Sequence, residues 1–155
     1  MQTLWSGGPV FSSDSDVFPL STDSILLVDF ARPGSRDRFL DLGCGSGILP
    51  LLLCWDRPGL RGTGLDISET ACSLSRRNLA DNRLSDRVEI LQADLRALRT
   101  LVPSGSYDLT ISNPPYFARG RGSEAAGRLG QARSARDFPP NGSARCTTVP
   151  IARQI

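Results

Sequence analysis

The sequence predicts an α/β fold with a parallel sheet of about four strands, and three observations carry that prediction. Short apolar runs alternate with segments of helical spacing. A glycine-rich string, Asp41-Leu42-Gly43-Cys44-Gly45-Ser46-Gly47, joins an apolar strand end to an apolar helix. Every candidate functional residue falls at the end of a strand. Strands that alternate with helices pair in parallel through right-handed crossovers, which places a ligand at their carboxyl ends.

Residues 1–18, with Ser6-Gly7-Gly8-Pro9 and Ser12-Ser13-Asp14-Ser15-Asp16, read as a flexible run of loops and turns, with order expected from about Pro19. Ser21-Thr22-Asp23 caps a helix whose apolar positions Ile25, Leu26, Val28 and Phe30 run to Ala31, where Arg32-Pro33-Gly34 stops it. A first strand follows at about Arg38 to Asp41. The helix after the glycine string runs to about Cys54 and breaks at Arg57-Pro58-Gly59. Arg61 to Leu65 is the second strand, ending at Asp66. Ile67 to Asn82 is a helix with Ser68 at its cap and Glu69 in its first turn. Val88 to Leu91 is the third strand, closing on Gln92-Ala93-Asp94, and Leu95 to Leu101 is a short helix ended by Pro103. Tyr107 to Ser112 is the fourth strand. No internal repeat is present.

Composition excludes several chemistries. The chain of 155 residues contains no histidine, which removes imidazole-based triads and the commonest metal ligand. All 18 basic residues are arginine, which removes lysine Schiff bases and the Walker lysine. No apolar run approaches the roughly 20 residues of a membrane span, and no signal segment opens the chain. Cys44, Cys54, Cys72 and Cys146 show no paired spacing, so free thiols in a cytoplasmic protein are expected, with no metal site. Charge is uneven: residues 1–117 hold 11 arginines against 14 acids, a balance of −3, and residues 118–155 hold seven against two, a balance of +5. That tail is rich in Gly, Ser, Pro, Ala and Arg and reads as disordered or irregular. Its charge suits RNA phosphates, and equally a solvated terminus.

Dinucleotide folds want Gly-x-Gly-x-x-Gly, whereas this chain has Asp-x-Gly-x-Gly-x-Gly. Asp66 stands where doubly wound folds place an acid for ribose hydroxyls. A tight turn for the glycines and helix caps for Asp66 and Asp94 remain open on the spacing alone.

The glycine string resembles the first motif of the class I S-adenosylmethionine methyltransferases, a Rossmann-like fold. Asn113-Pro114-Pro115-Tyr116 matches the motif of those members that methylate exocyclic or amide nitrogens. The resemblance implies that Asp41, Gly43, Cys44, Gly45, Gly47, Asp66, Ile67, Asp94, Leu95 and Asn113 hold the cofactor, with Asp94 reading its adenine amino group. It also implies that Asn113, Pro114, Pro115 and Tyr116 act on the acceptor. An amine conjugated to a ring has a delocalised lone pair and must pyramidalise to attack a methyl sulfonium. The Asn113 oxygen and the Pro114 carbonyl can accept its two N–H groups in that geometry, favouring the transition state over the planar ground state. Pro115 fixes the chain, and Tyr116 can stack on an unpaired base.

Phe18-Pro19-Leu20-Ser21-Thr22-Asp23-Ser24-Ile25, Arg77-Asn78-Leu79, Asp86-Arg87-Val88 and Asn113-Pro114-Pro115-Tyr116-Phe117 extend the likeness over residues 18–122. They resemble the bacterial tRNA1(Val) adenine-37 N6-methyltransferase family, which implies tRNA as the partner and a domain over residues 19–117. DNA adenine and protein glutamine are alternative acceptors. The class I fold continues after the Asn-Pro-Pro-Tyr loop with three more strands, and residues 118–155 carry no such pattern. The expectation is either a truncated or frameshifted reading of a longer gene or a domain that lacks the second half of its sheet and leaves its fourth strand as an uncovered edge, with an inactive remnant as the reading from another class.

Overall fold

The computed structural model describes residues 1–17 and 20–114, together with the backbone of residues 145–148. A hairpin opens the chain: β1 (Gln2–Thr3) pairs antiparallel with β2 (Val10–Phe11). Then come α1 (Thr22–Ala31), β3 (Arg38–Leu42), α2 (Ile48–Trp55), β4 (Arg61–Asp66), α3 (Glu69–Asp81) and β5 (Val88–Gln92). A 3-10 turn over Leu95–Ala97 leads into α4 (Leu98–Leu101), followed by β6 (Leu109–Ser112) and β7 (Arg145–Thr148).

The large sheet has the order β5-β4-β3-β6-β7, and all its neighbours are parallel. The chain starts at the central β3, moves outward through β4 to β5, and then returns to the other side of β3 as β6. That reversal puts the topological switch point at the carboxyl ends of β3 and β6, the place where open α/β sheets bind ligands. The register pairs Asp41 with Ile111, so the turn after β3 and the loop after β6 emerge side by side.

Alternation along β3 sends Phe39 and Leu40 into different cores. Phe39 joins Leu109, Ile111, Leu51, Leu53 and Leu79 under α1, α2 and α3, while Leu40 joins Leu42, Leu65 and Leu98 under α4. Each such fully buried aliphatic side chain contributes about 1.5–3 kcal/mol. The helix ends follow local chemistry. Arg32 takes a left-handed conformation after α1, at the foot of Pro33-Gly34. Pro50 is accommodated in the first turn of α2, where its missing N–H costs nothing. The Ser68 side chain accepts from the Ala71 amide to cap α3.

Two expectations are corrected. The segment read as flexible carries the hairpin, and Phe11 is 1% exposed in the larger core. Its hold comes from far along the chain. The Asn82 side chain accepts from Val10 N at 2.9 Å and donates to Val10 O at 2.7 Å. The Asn78 side chain accepts from Ser12 N at 2.9 Å and donates to Ser12 O at 3.0 Å. The two amides, Asn78 on α3 and Asn82 at its C-cap, act as a strand edge for the N-terminal segment. The second correction lies in the tail. β7 pairs with β6 through Leu109–Ser112 against Arg145–Thr148, so the fourth strand is not an uncovered edge. Four residues are too short a run for periodicity to register, although threonines at 147 and 148 favour extended backbone. The rest of the tail lies outside the described residues.

Candidate functional site

Asp41 lies on β3 at 0% exposure, and among the described residues neither of its carboxylate oxygens has a hydrogen-bond partner. Burial, reinforced by the nearby Asp66 charge, raises its carboxyl well above the ordinary range. An unpartnered buried acid is costly, and it calls for a cation or a set of donors.

The turn that follows doubles back on β4. The amides of Gly43 and Cys44 both donate to Leu65 O, at 2.7 and 3.0 Å. Gly43, Gly45 and Gly47 all have positive φ, at 77°, 54° and 78°, so the alternating glycines are a backbone requirement. Gly47 is also a close approach: a Cβ there would collide with Ser75 Oγ on α3. Cys44 is buried in the turn, and its thiol is pushed up by desolvation and then by Asp41 and Asp66. That makes it a packing residue and a poor nucleophile. Cys44, Cys54 and Cys72 are all free and buried.

Asp66 ends β4 with both oxygens engaged, Oδ2 by the Gly45 amide at 2.8 Å and Oδ1 by the Ser68 amide at 2.9 Å. A carboxylate has about four acceptor positions, so two remain for a ligand's hydroxyls. Ile67, the next residue, is 42% exposed, an apolar surface at the end of β4. One strand further out, Asp94 caps the 3-10 turn by accepting from the Arg96 amide at 2.8 Å. The Arg96 guanidinium pairs with both of its oxygens, through Nε at 3.0 and 2.9 Å. This pairing holds the Asp94 carboxyl down at about 2. Leu95 packs half-buried against the smaller core.

On the other side of β3, Ser112 Oγ donates to Leu42 O at 2.8 Å and so anchors the end of β6 to the start of the glycine turn. Asn113 comes next, half-buried, with its Nδ2 donating to Ser24 Oγ on α1 at 3.0 Å. Pro114 is exposed. Pro115 and Tyr116 lie outside the described residues. The structure therefore gathers Asp41, Gly43, Cys44, Gly45, Gly47, Asp66, Ile67 and Asn113 along the ends of β3, β4 and β6, with Asp94 and Leu95 beyond β5.

Two residues of the site escape the sequence reading. Asn78, at 0% exposure, donates to Ser46 O at 2.9 Å as well as to Ser12 O, so it joins the glycine turn to the N-terminal segment. Its signal is positional: Ala71, Ser75 and Asn78 share the buried face of α3, where a carboxamide must find partners. Ser24 likewise shares the buried stripe of α1 with Leu27 and Ala31.

Known proteins resemble this chain in sequence and in fold. The family described as methyltransferase small domain matches residues 3–145. A tRNA1(Val) (adenine(37)-N6)-methyltransferase of Vibrio cholerae is 36% identical over 102 residues, 66% of this chain and 41% of its own. A release factor glutamine methyltransferase of Nitratidesulfovibrio vulgaris is 36% identical over 103 residues, 66% of this chain and 32% of its own. The chain thus spans less than half the length of these curated relatives. Among solved structures, an RNA methyltransferase from Salinibacter ruber in complex with S-adenosyl-L-homocysteine has a TM-score of 0.54 at 22% identity. It covers 63% of this chain and 62% of its own, and the likeness is one of fold. The doubly wound sheet, the glycine turn beyond β3 and the match over residues 3–145 lead to one conclusion: the chain belongs to the methyltransferase small domain family.

Proposed function

We propose that the chain binds S-adenosylmethionine at the ends of β3, β4 and β5 and directs its methyl group to an exocyclic nitrogen, N6 of an adenine in tRNA. The observation that carries this reading is the position of Asn113. It follows β6 directly, one strand from the glycine turn and across the switch point from it.

The residues fit the cofactor by charge and by donor count. When bound, it supplies an electrophilic methyl group on a positively charged sulfur, along with an ammonium, two ribose hydroxyls and an adenine amino group. Asp41 offers two unpartnered buried oxygens to a cation. Asp66 keeps acceptor capacity for hydroxyls, and Ile67 and Leu95 supply apolar surface for a ring. Asp94 is the acceptor for an amino group, in exchange for Arg96. The positive-φ glycines leave the backbone bare of side chains at the turn.

The Asn113 oxygen and the Pro114 carbonyl hold the two N–H groups of the acceptor amine. Such acceptors favour the pyramidal nitrogen of the transition state over the planar ground state. When bound, the cofactor would supply its methyl group to that nitrogen and leave as S-adenosylhomocysteine, and the nitrogen would give its surplus proton to water. No imidazole is required, in keeping with a chain that contains none. The +5 balance of residues 118–155 suits RNA phosphates, and an anticodon-loop adenine is exposed without opening a duplex.

The release-factor relative makes protein glutamine the competing acceptor. Methyl-labelled S-adenosylmethionine offered with unmodified tRNA, adenine-containing DNA and a release factor separates the possibilities. Label recovered as N6-methyladenosine from tRNA supports the proposal. Label in glutamine or DNA, or in none of the three, overturns it.

A further inference from the structure

We infer that Arg96 sets the selectivity of the site for an adenine ring: in the free protein its guanidinium holds Asp94, and it yields that acid only to a ring amino group. The inference deepens the cofactor reading above and rests on it. Asp94 stands one strand outward from Asp66, and the Ala93 amide donates to Asp66 O at 2.8 Å, so the two acids follow each other along the strand ends. They differ in what holds them. Asp66 meets two backbone amides, which cannot leave, and it keeps acceptor positions for a ligand. Asp94 meets Arg96 at both oxygens. Its Oδ1 accepts from the Arg96 amide at 2.8 Å and from Nε at 3.0 Å, and its Oδ2 accepts from Nε at 2.9 Å and from Nη2.

A carboxylate has about four acceptor positions, and these contacts fill them. An amino group reaches Asp94 only after the guanidinium swings away. That exchange costs little, because the Arg96 side chain is 87% exposed and leaves into water. It also leaves the turn intact. The backbone amide stays behind on Oδ1, which keeps the 3-10 turn capped and the carboxylate aimed while Oδ2 is freed. The apparent affinity of a ligand that displaces Arg96 is scaled by the fraction of the protein in which the pair is open. Only a donor recovers what the guanidinium gives up. A purine ring with hydrogen in place of the amino group offers none at that atom, and it leaves the pair closed.

Titration calorimetry compares S-adenosylhomocysteine with its analogue lacking the ring amino group, on the parent and on Arg96→Ala, which keeps the capping amide. Loss of the guanidinium tightens S-adenosylhomocysteine about threefold and leaves the analogue unchanged. In an Asp94→Ala background the gain disappears. An equal change in both ligands reports only the lost charge and overturns the inference, as does weaker S-adenosylhomocysteine binding in Arg96→Ala or a gain that persists without Asp94. The Nε signal of Arg96, identified in nitrogen-resolved NMR spectra by its loss in Arg96→Ala, reads the exchange itself. In the parent it stands away from the free-arginine position, returns there on saturation with S-adenosylhomocysteine, and stays in place with the analogue. A signal that bound S-adenosylhomocysteine leaves unmoved overturns the inference while the cofactor reading stands. If the parent binds neither ligand saturably, the cofactor reading itself fails, and this inference with it.

Discussion

Asp66 holds the Gly45 amide at 2.8 Å, and with its second oxygen it holds Ser68 at the start of α3. The acid that the sequence assigns to a ribose therefore also builds the turn on which the ribose would rest. Site and scaffold share one carboxylate.

Asp66→Ala removes two hydrogen bonds from half-buried backbone amides, at about 1 kcal/mol for each. Asp66→Asn keeps the shape but turns an NH2 toward one of those amides. The expected outcome is a lower thermal midpoint in both variants, larger in Asp66→Ala, together with at least a tenfold loss of S-adenosylhomocysteine affinity, about 1.4 kcal/mol. Scanning calorimetry and titration calorimetry on the same samples check the two effects.

Asp41 predicts the opposite sign for stability. Its carboxyl is raised by burial first and by Asp66 second, so the folded chain binds this proton more tightly than the unfolded chain. Its contribution to stability is fully present below the unfolded value, near 3.9, and is lost as pH rises through the raised folded value. Asp41→Asn abolishes that loss. The ligand-free variant is expected to melt higher than the parent at pH 8, with the gap closing toward pH 4, while its affinity for the cofactor falls at least about tenfold. A pH series of melting curves measures the gap.

The regular part of the fold was legible in the sequence. The four strands and the helices between them fall within one or two residues of the positions that apolar spacing, Ser68 and the Pro-Gly breaks indicate, because those elements are encoded by their own residues. The hairpin was not legible, because its hold on the body comes from Asn78 and Asn82, 66 and 72 residues away. β7 was hidden for the same kind of reason: a short strand exists only against its neighbour β6. Within the site, the glycines and Asn113 announced themselves by motif. Ser24 and Asn78 act through tertiary contacts that no local pattern contains.

Asn78→Ala tests the strap over the glycine turn. It removes partners from Ser12 N, Ser12 O and Ser46 O at once, at about 1 kcal/mol or more for each buried group. The Ser12 and Val10 amides are expected to exchange with solvent far sooner than the amides of β3 and β4, and the thermal midpoint falls by several degrees. Hydrogen exchange resolved by residue reads this directly; unchanged protection at Ser12 rejects the strap.

Gly47→Ala combines two penalties. Its φ of 78° costs a side-chain residue roughly 1–2 kcal/mol, and the new Cβ collides with Ser75 Oγ. Adding Ser75→Ala removes the hydroxyl but leaves Ser75 Cβ at 3.1 Å and the backbone angle unchanged. Partial recovery of stability is therefore expected in the double variant, as measured by urea denaturation.

The central claim is that the carboxyl ends of β3 and β4 form a cofactor site whose buried acid awaits a cation. Titration calorimetry of the protein with S-adenosylhomocysteine tests it most directly. Saturable binding at one site with a micromolar Kd, about −8 kcal/mol, weakened at least about tenfold by Asp41→Asn, is the predicted result; no saturable heat with ligand near ~1 mM, or binding that Asp41→Asn leaves untouched, contradicts it.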